Sequence, residues 1–232
     1  FPILHGPYGE DGTVQGLLEL AGVAYVGSGV GGSAVSMDKE LMKRVFRAEG
    51  LNQLPYLVVL RRRWRDDPSQ VRREIEERLD YPVFVKPANL GSSVGITKVH
   101  EAAELKYGMD EAARFDAKVL VEANAADCRE IECAVLGNDD PQISVLGEIV
   151  PGNEFYDYNA KYLEDNSELI IPAPMSEDAA ERIRRMALAA FRAVDGAGMA
   201  RVDFFVGRDE SEVYLNEINT IPGFTPISMY PK

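Results

Sequence analysis

Two short runs near the C-terminus constrain the fold most. Residues 213–218, overlapping the start of Tyr214-Leu-Asn-Glu-Ile-Asn-Thr-Ile-Pro-Gly223, read as a strand. Glu217 and Asn219 lie two apart, so a period of two turns both side chains to one face. Upstream, Ala200-Arg-Val-Asp-Phe-Phe-Val206 reads as another strand, with Arg201 and Asp203 again two apart. If the two strands pair, two carboxylates, an amide oxygen and a guanidinium converge on one patch. Hard oxygen donors in that number suit Mg²⁺ held beside a nucleotide's phosphates. The following Pro222-Gly223 lets backbone approach a ligand closely.

A matching phosphate site is expected upstream. Tyr81-Pro-Val-Phe-Val-Lys-Pro87 reads as an apolar strand ending in a lysine, followed by the small-residue loop Asn89-Leu-Gly-Ser-Ser-Val-Gly95. Ser92 and Ser93 add hydroxyls to the backbone N–H donors with which such loops cradle phosphate, and Lys86 adds a point charge. The loop fits neither the G-x-x-x-x-G-K-[ST] nor the G-x-G-x-x-G pattern. Taken alone it reads as a hairpin turn with Lys86 at a strand end. Beside Asp203, Glu217 and Asn219 it reads as a phosphate site.

Composition narrows the partners. The 232-residue chain carries a net charge of −13, with 38 acidic against 25 basic residues. Nucleic-acid binding needs a basic face, so none is expected. No apolar run approaches ~18 residues, so no membrane span is expected either. Cys128 and Cys133 match no zinc spacing and are read as buried free thiols in a reducing cytoplasm. No signal peptide is expected. The chain opens at Phe1 without methionine and is read as an internal fragment of a longer protein.

Along the chain, residues 1–4 and 24–26 read as strands flanking a Gly-rich loop and a helix capped by Thr13 and ended by Gly22. A Gly/Ser connector then runs to Ser36. Helices are predicted over 38–49, with a stripe of Leu41, Met42, Val45 and Phe46, and over 68–79, 101–113 and 176–194. Strands are predicted over 54–60, 83–85, 96–99, 118–122, 131–136 and 143–149. The basic run 61–65 reads as a solvated face. Residues 151–174, rich in aromatics, read as a lid or Ω-loop.

The motif order resembles the ATP-grasp ligases and, within them, the D-alanine–D-alanine ligase family. The stretches that carry it are His5-Gly-Pro-Tyr-Gly-Glu-Asp-Gly12, Tyr25-Val-Gly-Ser-Gly29, Met37-Asp-Lys39, Phe84-Val-Lys-Pro87, Gly91-Ser-Ser-Val-Gly95, Glu154-Phe-Tyr-Asp-Tyr-Asn-Ala-Lys-Tyr162 and Asn216-Glu-Ile-Asn-Thr-Ile-Pro-Gly223. The resemblance implies an α/β (α+β ATP-grasp) fold, with antiparallel sheets and helices clasping ATP between two subdomains. Residues 1–36 would end a Rossmann-like N-terminal α/β domain. Residues 37–125 would form the central ATP-grasp subdomain and 126–232 the catalytic one.

It also implies roles. Lys39, Lys86, Ser93 and the lid's Lys161 would contact ATP phosphates. Glu122 and the backbone of Ala123 and Ala125 would border adenine, and Glu130 would bind the ribose. Asp203, Glu217 and Asn219 would hold two Mg²⁺ (or Mn²⁺). Arg201 and Gly223 would surround the transferring phosphoryl group and the tetrahedral intermediate. Ser92 and Tyr162 would link loop and lid over the first D-alanine, bordered by His5 and Glu10. Ser228 and Met229 would contact the second. Leu90 stands where many relatives carry an acidic residue.

The implied reaction phosphorylates one D-alanine carboxylate, and the amine of a second displaces phosphate. Such chemistry asks the protein mainly for positioning and charge neutralisation. Tyr162 favours dipeptide over D-lactate product. A D-lactate or D-serine acceptor, or a non-catalytic nucleotide-binding module, are the alternatives. The resemblance further implies a homodimer through the N-terminal domain.

Overall fold

The computed structural model describes residues 1–150, 168–225 and 228–232. The chain divides into two compact units: Phe1–Gln53 with Asp127–Lys232, and Leu54–Ala126. Each is built on its own antiparallel sheet.

The larger unit begins with three helices. The first, α1 (Thr13–Ala21), ends at Gly22 in the left-handed region, as predicted. Thr13 is its first residue rather than its cap. Asp11 accepts the Thr13 N–H at 2.9 Å and the Tyr8 N–H at 2.8 Å. Helix α2 (Val30–Met37) replaces the expected Gly/Ser connector. Its Gly32 permits close packing: a Cβ there would lie 2.8 Å from the Val194 carbonyl oxygen. Propensity gives no sign of such a helix because close backbone approach, not intrinsic preference, favours its Gly32. In α3 (Lys39–Ala48), Asp38 caps the N–H groups of Glu40 and Leu41. Met42 and Phe46 are buried, whereas Leu41, read as part of the stripe, is exposed.

Residues 1–4 and 24–26 do not form the expected strands. A strand exists through its ladder, and no described strand pairs with either segment. Phe1 instead meets Phe224 edge-on, with ring centroids 5.2 Å apart.

The smaller unit runs β1 (Tyr56–Leu60), α4 (Arg61–Asp66), α5 (Pro68–Glu76), β2 (Val83–Pro87), β3 (Thr97–Val99), α6 (Leu105–Phe115) and β4 (Lys118–Ala123). Its sheet order is β1-β4-β2-β3. Alternation turns Val83, Val85, Val119 and Val121 into one core with Val71, Ile75, Leu105 and Met109. The basic run forms α4. Its arginines stay in solvent beside Asp66 and Glu74, while Trp64 is buried and donates to Asp110 at 2.7 Å.

The chain then completes the larger unit with β5 (Cys128–Gly137), β6 (Gln142–Val150), β7 (Glu168–Ile170), α7 (Glu177–Ala193), β8 (Gly198–Gly207) and β9 (Val213–Asn219). The sheet order is β7-β6-β5-β8-β9. Ser176 Oγ accepts the Ala179 N–H, the cap expected for α7. Ile183, Ala187, Ala190 and Phe191 of α7 pack on Ile131, Cys133, Val135, Val202, Phe204 and Leu215. Every second residue of β5 and β8 therefore points to the opposite face, where the polar residues lie. Of the predicted lid, residues 151–167 lie outside the described residues, and Glu168–Ile170 pairs with β6 as an additional strand.

Both cysteines are free. Burial pushes the Cys133 thiol up to about 12, so it stays protonated and inert. Cys128 is only half-buried, unlike the expectation, because it lies at the start of β5 with its side chain on the other face. Among the described residues no helix is long and apolar enough to cross a membrane.

Gly198 opens β8 at φ 73°, and a Cβ there would lie 2.8 Å from the Gly27 backbone nitrogen. Gly198→Ala is expected to cost roughly 2–3 kcal/mol, since both strain and a backbone clash are imposed. Gly50 has a similar φ of 69° but faces open space. Gly50→Ala is expected to cost only about 1 kcal/mol. Thermal unfolding compares the two; equal melting temperatures would remove the Gly27 contact from this account.

Candidate active site

The site face of the larger sheet follows from strand register. β8 pairs β9 with Arg201 opposite Asn219 and Asp203 opposite Glu217. β5 pairs β8 with Glu132 opposite Asp203 and Glu130 opposite Phe205. All four residues singled out on the two C-terminal runs thus share the face away from α7. A β-bulge beyond them restores the core side of β9. Between the Asp203–Glu217 and Phe204–Leu215 pairs, Asn216 is the extra residue on β9. Val213, Leu215 and Ile218 can then all be buried while Glu217 and Asn219 face outward.

The guanidinium of Arg201 forks onto Asp203, Nε to Oδ1 and Nη2 to Oδ2, both at 2.7 Å. Asn219 Nδ2 also donates to Asp203 Oδ2, at 3.1 Å. Glu132 Oε1 lies 3.2 Å from Arg201 Nε. Burial works against the Arg201 charge, but Asp203, Glu132 and Glu217 outweigh it and hold its pKa well above the ordinary range. Glu132 escaped the reading of the sequence, although it shares the parity of Glu130 on β5.

Glu10 and His5 lie in the same electrostatic neighbourhood. Their side chains approach to 3.4 Å, and the Gly6 N–H donates to Glu10 Oε2. Burial raises the Glu10 carboxyl above its usual range. The Gly6 N–H and His5 oppose the rise, and the charge of Glu217 adds to it. Gly223 lies against Ser228, where a Cβ would meet Oγ at 2.5 Å. Ser228 Oγ accepts the Thr225 N–H and pairs with the Thr225 hydroxyl at 2.9 Å. Met229 is buried against Gly147, and a Cβ at Gly147 would strike its sulfur. Lys39, half-buried, opens α3.

In the smaller unit the second set of candidates gathers on one sheet. β2 and β4 put Lys86 and Glu122 diagonally across the ladder, on the face opposite the valine core. Lys86 Nζ lies 2.6 Å from Glu122 Oε2, and Glu122 is 1% exposed. Residues assigned separately to phosphate and adenine are therefore an ion pair. The Ala123 N–H donates to the Pro55 carbonyl at 2.9 Å, so this donor is already engaged; Ala125 follows beyond the strand end. Ser92 and Ser93 both adopt positive φ, 52° and 57°. Asp116 anchors the start of their loop, accepting the N–H and Nδ2 of Asn89, both at 2.8 Å. No motif pointed to Asp116. Lys161 and Tyr162 lie outside the described residues.

Among the described residues no three His, Cys, Asp or Glu side chains are arranged to hold a metal by themselves. Two carboxylates and an amide nevertheless fit Mg²⁺, which takes its remaining ligands from phosphate and water. The guanidinium on Asp203 shows that this carboxylate already accommodates a cation.

The family model described as D-ala D-ala ligase C-terminus matches residues 45–232, and that described as D-ala D-ala ligase N-terminus matches residues 1–28. The D-alanine–D-alanine ligase of Heliobacterium modesticaldum is 58% identical over 232 residues, covering 100% of this chain and 63% of that protein. The one from Acetivibrio thermocellus is 57% identical over 231 residues, covering 100% and 61%. Among solved structures, the D-alanine-D-alanine ligase of Coxiella burnetii superposes with TM-score 0.86 at 42% identity, covering 100% of this chain and 60% of that one. The VanG D-Ala:D-Ser ligase of Enterococcus faecalis gives 0.88 at 39%, covering 100% and 66%. The chain spans less than two thirds of the length of these curated relatives. With more than half its residues matched by the C-terminal model and a polar sheet face built from the motif residues, the chain belongs to the D-alanine–D-alanine ligase family.

Proposed function

We propose that this chain is the ATP-binding and catalytic part of a cytoplasmic enzyme that joins two D-alanines for peptidoglycan precursor synthesis. The observation that carries the reading is the register of β8 and β9, which gathers Arg201, Asp203, Glu217 and Asn219 on one face. ATP with Mg²⁺, when bound, would supply the phosphoryl group that activates the first carboxylate. The chain's own residues supply position and charge. Asp203, Glu217 and Asn219 are the oxygen donors for the metal, Lys86 and Lys39 the cations for phosphates, and Glu130 the acceptor for ribose hydroxyls. Arg201 offers a fixed fork of donors to developing oxyanion charge. Lys161 and Tyr162 belong to the same reading as the groups that exclude water. A dimer formed through the N-terminal domain goes with it.

A second reading has one observation in its favour. The D-Ala:D-Ser ligase superposes as well as the D-alanine-D-alanine ligase, so the backbone leaves the acceptor open. Phosphate release by the full-length protein, with ATP, Mg²⁺ and D-alanine and with D-serine or D-lactate in competition, tests both. Stoichiometric D-alanyl-D-alanine is expected. A mixed dipeptide or depsipeptide as main product near neutral pH would move the assignment to the second reading. Nucleotide binding with no D-alanine-dependent release would favour a module without catalysis.

A further inference from the structure

Glu132 has no role in the reading above, yet it faces Asp203 across the β5–β8 ladder and lies within an ion pair of Arg201. Arg201 therefore stands between two carboxylates. One of them, Asp203, takes both arms of its fork. A divalent cation at Asp203 competes with those arms for the same carboxylate, and a guanidinium beside a metal is repelled. The arginine must then loosen from Asp203 without leaving the face where it serves. We infer that Glu132 is a positioning residue that retains the Arg201 guanidinium on the sheet face when a divalent cation draws Asp203 away. This rests on the proposed metal role of Asp203.

The geometry suits an exchange of partners. Glu132 and Asp203 are directly opposed, so a small swing about the arginine's last bonds moves the fork from one carboxylate to the other. The side chains of Arg201, Asp203 and Glu132 are 20%, 15% and 11% exposed, so solvent screens the pair only in part. Glu132 would lower the barrier to metal entry by offering Arg201 a second seat. It would also keep the fork aimed once the metal is bound.

The test uses the manganous ion alone, read by electron paramagnetic resonance on the full-length protein. Glu132→Gln is expected to weaken Mn²⁺ binding about fivefold, the size of coupling seen between contacting charges. Glu132→Asp should recover part of the loss. In an Arg201→Gln background the same change should alter binding by less than about twofold, since no guanidinium remains to be retained. A loss of equal size in both backgrounds would mean that Glu132 merely attracts the ion, and would overturn the inference. Parent chain that binds no Mn²⁺ would overturn the metal reading itself. A second readout is the Arg201 side-chain Nε–H signal in nitrogen-15 NMR with Mg²⁺ added. It should persist in the parent and broaden in Glu132→Gln; equal persistence in both would sink the proposal.

Discussion

Asp203→Asn is expected to lower Mg²⁺-dependent phosphate release by about a thousandfold, since a metal contributes several kcal/mol of charge stabilisation and each 1.36 kcal/mol is tenfold. The isosteric amide keeps the volume but not the charge that a divalent cation requires. It also unbalances the apo site. Arg201 would exchange its two 2.7 Å bonds to a carboxylate for at most one to a neutral amide oxygen, with Glu132 and Glu217 as its remaining negative charges. That change is expected to cost roughly 1–2 kcal/mol of stability, after allowance for the partial exposure of the pair. Activity and melting temperature measured on one preparation separate the two effects. Losses of comparable size would count against a ligand role and for a structural one.

Lys86→Ala should raise the apparent ATP requirement by about ten- to a hundredfold, the worth of one well-placed charge on a phosphate. It also removes the ammonium 2.6 Å from a carboxylate that is almost fully buried. Stability should therefore fall by roughly 1–3 kcal/mol. The double variant Lys86→Ala/Glu122→Gln disentangles the contributions. It should regain most of the lost stability, because no buried charge is left beside the gap, and none of the lost nucleotide affinity. Unchanged affinity in Lys86→Ala, measured by calorimetry, would refute the phosphate assignment.

Much of this site was legible because side-chain parity is a local property. Arg201 with Asp203, and Glu217 with Asn219, needed only a period of two and a guess that their strands pair. The bulge was not read, though its mark is there: Leu215 and Ile218 are both buried yet three apart, which an unbroken strand forbids. Helix α2 was hidden by its glycines, one of which, Gly32, serves close packing against the Val194 carbonyl rather than a turn. The short strands read at 1–4 and 24–26 had the right composition, but a strand is a pairwise object, and composition says nothing of its neighbour. Asp116 and Glu132 were missed because each acts through a partner distant in sequence, Asn89 and Arg201. The antiparallel build of both sheets, by contrast, was read correctly.

The smaller unit enters and leaves the chain at one place. Its first and last strands are antiparallel neighbours, with Tyr56 across from Glu122 and the Ala123 N–H on the Pro55 carbonyl. A segment whose ends meet can be gained, lost or exchanged without rethreading its host, which is why insertions of whole domains survive at such points. By this measure Leu54–Ala126 is a guest within a host chain that resumes at Asp127. Lys86, Glu122 and the Ser92–Ser93 loop travel with the guest, whereas Asp203 and Arg201 stay with the host. Transplanting a relative's guest between residues 53 and 127 would thus exchange one set of candidate groups while leaving the other untouched. Recombination within this family has a natural pair of cut sites there.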